Sequence, residues 1–246
     1  MSSLIVARPF RPVAWSGSPA TYDRALSGDP KEAAVLNAQA GVWNFDYGVA
    51  VTLDTVFVGY HTGAAAQTVT VTTSATLGGA TVGTPQPAIS LVPFPTDGPA
   101  HGFARFNPVM SRYWTVTVSA GTYNVGVVAL AASVQPTYGR EYGSGRGFTD
   151  TSNISRLFGG GFAIDEGVVI PWFQWTMGEL TDAEVEALYA HARRVGESRA
   201  ILVVEDPDRT AGLNERIHWG LLAKIDAYER FAPGATRWAM RVDDWS

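Results

Sequence analysis

Cysteine is absent from the 246 residues, which excludes disulfides and thiolate metal sites. Lysine is nearly absent too: Lys31 and Lys224 are the only two. With a net charge of −5 and no stripe of Lys or Arg, the chain lacks the electrostatic footprint of a nucleic-acid binder. Histidine is scarce. His61, His101, His191 and His218 include no pair at the i, i+4 spacing of a helical zinc site, so no metal site is expected. No apolar run approaches the ~20 residues that cross a bilayer. Residues 1–9 lack the apolar centre of a signal peptide. The expectation is a soluble chain with no membrane span and no secretion signal of its own.

Chemical signatures are missing as well. Gly159-Gly160-Gly161 and the glycines of 143–147 match neither a phosphate loop nor a dinucleotide fingerprint, and read as turns or close backbone packing. No nucleophile elbow is present. Asp206-Pro207-Asp208-Arg209 follows an apolar run and reads as a turn, as does Asp165-Glu166-Gly167. Asp243-Asp244 is a further acidic cluster. No enzyme and no cofactor are expected; a hydrolase built on Asp206, Asp208 or His218 is the weaker reading.

What the chain does have is apolar residues at 46%, charged residues at only 17%, 26 Gly and 14 Pro, the balance of a folded protein with many turns. The fold class read from this is mainly β, an N-terminal jelly-roll β-sandwich plus a small C-terminal α/β module with one principal helix. Residues 1–135 carry short apolar or alternating runs at 49–53, 56–60, 68–73, 88–92, 113–118 and 125–130, and roughly seven or eight strands at this spacing suggest a sandwich. In 68–73, Thr alternates with Val, which predicts one buried and one solvated face. Residues 136–147 are a Gly/Tyr-rich junction. In 148–246, the run 168–177 reads as a strand whose Pro171 belongs at an edge or a bulge. Thr181-Asp182-Ala183-Glu184 is a capping box with Leu180 and Val185 as its staple, and Val185, Leu188, Tyr189 and Ala192 form an apolar stripe that Gly196 ends. Residues 200–204 read as a buried strand. Pro233-Gly234 predicts the turn of a closing hairpin.

Eight tryptophans are spread along the chain. Trp114 and Trp172 read as core. Trp15 and Trp43 stand near turn residues and are candidates for exposed stacking or interface residues. With Tyr60 and His61, at the end of a predicted strand, they form the candidate binding set.

Two stretches resemble known families. Gly28-Asp29, then Trp43 before Asp46-Tyr47-Gly48, then Gly59-Tyr60-His61, and later Phe106-Asn107-Pro108 and Ser111-Arg112-Tyr113-Trp114, resemble the galactose-binding-like (discoidin-like) domains over residues 10–135. That resemblance implies a jelly-roll sandwich whose loops often bind glycans or other surfaces. Gly159-Gly160-Gly161, Trp172-Phe173-Gln174-Trp175, Thr181-Asp182-Ala183-Glu184 and Val203-Val204-Glu205-Asp206 resemble in pattern the modules of tail-associated proteins of tailed phages, over residues 140–246. Together these imply a structural subunit of a phage tail or related particle. Such a subunit would partner other tail or particle proteins, form a homo-oligomer, and be located in the virion after assembly in the host cytoplasm. The alternative they imply is a carbohydrate-binding module for host surface glycans.

Overall fold

In a computed structural model, the described residues are 3–63, 67–82, 89–90, 100–209 and 211–245. They form two compact units. One comprises Ala7–Ser133 with Gly212–Ile217; the other comprises Met1–Val6, Val134–Ala211 and His218–Ser246. The mainly β architecture with one principal helix is what the chain adopts.

Strand β1 (Leu4–Pro9) divides between the units. The first unit continues with β2 (Ala14–Ser18), β3 (Ala34–His61), β4 (Thr68–Ser74), β5 (Thr81–Val82), β6 (Ile89–Ser90), β7 (Ala100–Val125) and β8 (Val127–Val134). Its sandwich follows from two very long strands. β3 and β7 pair antiparallel over their whole length, but the register breaks between Asp46 and Val51. There Gly48 has a φ of +76°, and its amide donates to Asp46 Oδ1 at 2.7 Å. Residues 34–46 of β3 pair with 113–125 of β7, and β2 and β4 flank that layer. Residues 51–61 pair with 100–111 of β7 and, on their other edge, with β8. Each long strand therefore contributes to both layers. One core lies among Trp43, Phe45, Val71, Trp114, Leu53 and Leu130.

Alternation does what periodicity demands: in β4, Val69 and Val71 are buried while Thr68, Thr70 and Thr72 are half-exposed. Of the predicted strand at 88–92, only Ile89 and Ser90 are described, paired with Val69 and Thr68; the rest lies outside the described residues.

The second unit has a sheet in the order β1-β13-β14-β16-β12-β9. Its members are β9 (Gly145–Asp150), β12 (Val169–Leu180), β13 (Ala200–Glu205), β14 (Ile217–Ile225) and β16 (Ala235–Asp244), with β15 (Glu229–Ala232) on the edge of β16. Helix α1 (Asp182–Val195) has the predicted capping box with Thr181 and Glu184. Val185, Leu188, Ala192 and Val195 pack into a core with Phe173, Trp175, Leu222 and Trp238. Tyr189 departs from the predicted stripe and is 45% exposed. Trp172, read as core, is only half-buried, with the Arg241 guanidinium 4.5 Å from its ring centroid. Pro171 pairs only with β9, since the register with β16 begins at Trp172; its missing N–H therefore breaks no ladder on that side.

The turn predicted at Asp165-Glu166-Gly167 is corrected. Strands β10 (Asn153–Arg156) and β11 (Phe162–Asp165) form a separate two-stranded hairpin. It turns at Leu157–Gly161, where the Leu157 amide donates to the Gly161 carbonyl and Gly160 has a φ of +91°. The Asp165-Glu166-Gly167 stretch instead leads back into β12, and Gly167 donates to Ser152 Oγ. Every residue of this arm is exposed.

Candidate functional site

The four residues proposed from sequence do not converge. Trp15 is 40% exposed on β2, opposite Phe45. Trp43 is fully buried, its Nε1 donating to the Tyr22 carbonyl at 2.8 Å, because its strand position points inward beside Phe45. His61, expected in a loop, is the last residue of β3 and is also fully buried. Burial holds its pKa down at about 4, and its Nδ1 accepts from the Gly63 amide at 3.1 Å. Neither Trp43 nor His61 can stack on an external ligand. Tyr60 is half-buried with a φ of +54°; its amide donates to His101 Nδ1 and the two rings meet edge-on at 4.9 Å.

The motif halves behind the first resemblance do meet. Arg112 donates from Nε and Nη2 to the two oxygens of Asp46, at 2.7 and 2.9 Å. This bidentate pair holds the Asp46 carboxyl below the usual range.

The densest polar cluster lies in the second unit, on His218, Glu205 and Asp244. β13 and β14 are neighbours, as are β14 and β16, so the three side chains come from adjacent strands. His218 Nε2 is 2.9 Å from Glu205 Oε1, and Nδ1 is 2.9 Å from Asp244 Oδ2. Both ring nitrogens face carboxyl groups, an arrangement that favours the imidazolium, in which both donate. Burial would lower the His218 pKa, but the two carboxylates outweigh it and raise it. Burial would likewise raise Glu205, but His218, Arg146 and Arg140 together lower it. Asp244 ends up raised, since burial prevails over the pull of His218. Arg140 also bonds Glu205, and reaches Asp206 Oδ2 at 2.9 Å; Arg146 Nε lies 2.8 Å from Glu205 Oε1. The His218 ring stacks on Phe173 at 4.9 Å and 9°.

Arg140, Arg146 and His218 thus face Glu205, Asp206 and Asp244. The geometry is that of a closed ionic lock. Both His218 ring nitrogens are engaged by carboxyl oxygens. Asp206, with a φ of +43°, forms the predicted turn through the Arg209 amide. Among the described residues, no cluster of three or more His, Asp or Glu could hold a metal ion.

Sequence reasoning missed a more open site in the same unit. A groove of about 620 Å³ runs between the end of α1 and the link from β14 to β15. Tyr189 and Arg193, one helical turn apart, and Glu197 form one wall; Asp226 and Tyr228 form the other. Trp238 is its buried floor, and its Nε1 donates to the Asp226 carbonyl at 2.6 Å, pinning the link. Tyr189 and Tyr228 are both nearly half exposed and meet at 6.4 Å and 84°, so the two rings form a corner. The displaced member of the helix stripe was the only signal: a Tyr, which carries a polar tip, stood among aliphatic positions.

No protein-family model matches the chain, and no curated protein does either. Among solved structures it is similar to a chitosan-binding module from the chitosanase/glucanase of Paenibacillus sp. IK-5, with 13% identity, 51% of this chain and 99% of that chain covered, and a TM-score of 0.39. It is similar to the CBM32 of AlyQ in complex with 4,5-unsaturated mannuronic acid, with 18% identity, 50% and 96% covered, and a TM-score of 0.36. It is also similar to the lectin domain of lectinolysin complexed with Lewis B antigen, with 17% identity, 49% and 92% covered, and a TM-score of 0.35.

Proposed function

We propose that this is a non-catalytic carbohydrate-binding protein, with the Tyr189–Tyr228 groove as its saccharide site. The galactose-binding-like assignment of the N-terminal sandwich belongs to the same proposal. The observation that carries the site is the aromatic corner flanked by Arg193, Glu197 and Asp226. A pyranose offers an apolar C–H face and a rim of hydroxyls. An aromatic ring receives the first, and charged side chains at the rim receive the second. The volume lies within the ~300–1,000 Å³ range of small-ligand sites.

Titration with a panel of neutral and acidic oligosaccharides should change the tryptophan fluorescence, because Trp238 floors the groove. Tyr228→Ala should weaken binding about tenfold, equivalent to ~1.4 kcal/mol. A flat response to the whole panel, or wild-type affinity in both Tyr228→Ala and Tyr189→Ala, would remove this site from the proposal.

A second reading, a subunit of a phage tail or related particle in the virion, is favoured by one feature. The β10–β11 arm presents large apolar side chains to solvent, as a subunit that inserts into a neighbour would. Co-sedimentation with purified particles is its test. Recovery only in the unsedimented fraction counts against it.

A further inference from the structure

We infer that the β10–β11 arm packs face to face against the same arm of a second copy of this chain. Cross-strand partners share a face. Ile154 lies opposite Ile164 and Arg156 opposite Phe162, so these four side chains occupy one face; Asn153, Asp165, Ser155 and Ala163 occupy the other. The hairpin is therefore amphipathic, with Phe158 at its tip, while Leu157 alternates onto the other face beside Gly161. Ile154, Leu157, Phe158, Phe162 and Ile164 are each more than half exposed, and Phe158 is completely so. A two-stranded hairpin with an uncovered apolar face is marginally stable in water alone. A second layer against that face would supply the missing burial.

Area and charge point to a second copy as the occupant. Ile154, Phe158, Phe162 and Ile164 offer roughly 600 Å² per copy, or ~1,200 Å² for two, which clears the ~1,000 Å² that a specific interface needs. The face also suits its own image. In an antiparallel two-fold arrangement, the aromatic tip of one arm (Phe158, Phe162) lies on the isoleucine root of the other (Ile154, Ile164). The same arrangement carries each Arg156, which stands over its own Phe162 at 5.8 Å, toward Glu166 at the partner's root. An isologous contact of this kind closes on itself. An anionic lipid surface fits less well, because Asp150, Asp165 and Glu166 outnumber Arg156 around the arm. The inference is independent of saccharide binding and holds whether or not the chain is built into a particle.

The test is sedimentation equilibrium on the full chain, for wild type, Ile154→Glu/Phe162→Glu, and a polar-face control, Asn153→Lys/Ser155→Lys. The expected result is a two-fold fall in mass for the first double variant only. Its circular dichroism and unfolding midpoint should stay at wild-type values, since the replaced side chains are exposed. A monomeric wild type, an oligomer that survives Ile154→Glu/Phe162→Glu, or an equal loss in the polar-face control would each overturn the inference.

Discussion

Glu205→Ala is expected to destabilise the C-terminal unit by about 3–5 kcal/mol, the usual cost of removing one partner from a buried ion pair. The side chain of Glu205 is 2% exposed and that of His218 3%. The variant leaves the His218 ring and the Arg140 guanidinium without their shared carboxylate. Urea unfolding followed by circular dichroism measures it. Glu205→Gln should lie between, because it keeps an acceptor and loses the charge. A Glu205→Ala transition within about 1 kcal/mol of wild type would mean that the cluster behaves as a surface pair.

The same cluster gives the stability a direction with pH. His218 is raised in the folded state, so its contribution is fully present below its ordinary value of 6.5 and fades as the pH climbs through the higher folded value. Glu205 is lowered, so its contribution is present above 4.5 and fades as the pH drops through the lower folded value. Asp244 is raised and opposes Glu205: ionising it in a buried site costs stability as the pH rises. In the sandwich unit, His61 is held at about 4 and is neutral when folded. It takes up a proton on unfolding below 6.5, so its contribution fades from 6.5 down toward 4. The unfolding free energy measured across this range should therefore fall on both sides. His218→Asn should flatten the alkaline side and His61→Gln the acid side.

Trp43→Ala is expected to cost the sandwich unit about 3–5 kcal/mol, as large-to-small core changes do. It empties a site in the core that also holds Leu36, Phe45 and Trp114, and leaves the Tyr22 carbonyl without its indole donor. Trp15→Ala, at a residue 40% exposed on the same layer, should cost far less. Urea midpoints for the two variants make the comparison. Similar losses in both would contradict the placement of Trp43 in the core.

That contrast shows where the sequence was legible. Trp15 and Trp43 both stand near turn residues. The register sets Trp15 opposite Phe45 and Gly17 opposite Trp43, so both indoles lie on one face, and Trp15 is part-exposed because β2 pairs only with β3. His61 likewise follows an apolar run, and only the pairing of His61 with Ala100 carries the strand one residue further and turns the ring inward. The arm was misread because Asp-Glu-Gly has turn chemistry, while the hairpin that forms closes through Gly159-Gly160-Gly161, a stretch read only as a generic turn.

By itself the sequence determined what depends on neighbours along the chain. The Thr/Val alternation of β4, the Thr181–Glu184 capping box, the closing turn at Gly234 and the absence of thiol chemistry all follow from spacings of a few residues, over which backbone geometry sets which groups meet. Only the tertiary structure decided what depends on distant segments. It assembled the second unit from three separate stretches of chain. It brought His218, Glu205 and Asp244 from neighbouring strands into one ionic lock. It set Tyr189 against Tyr228 across a groove. Strand order and register are set by the summed burial of a whole core, and no local spacing carries that sum.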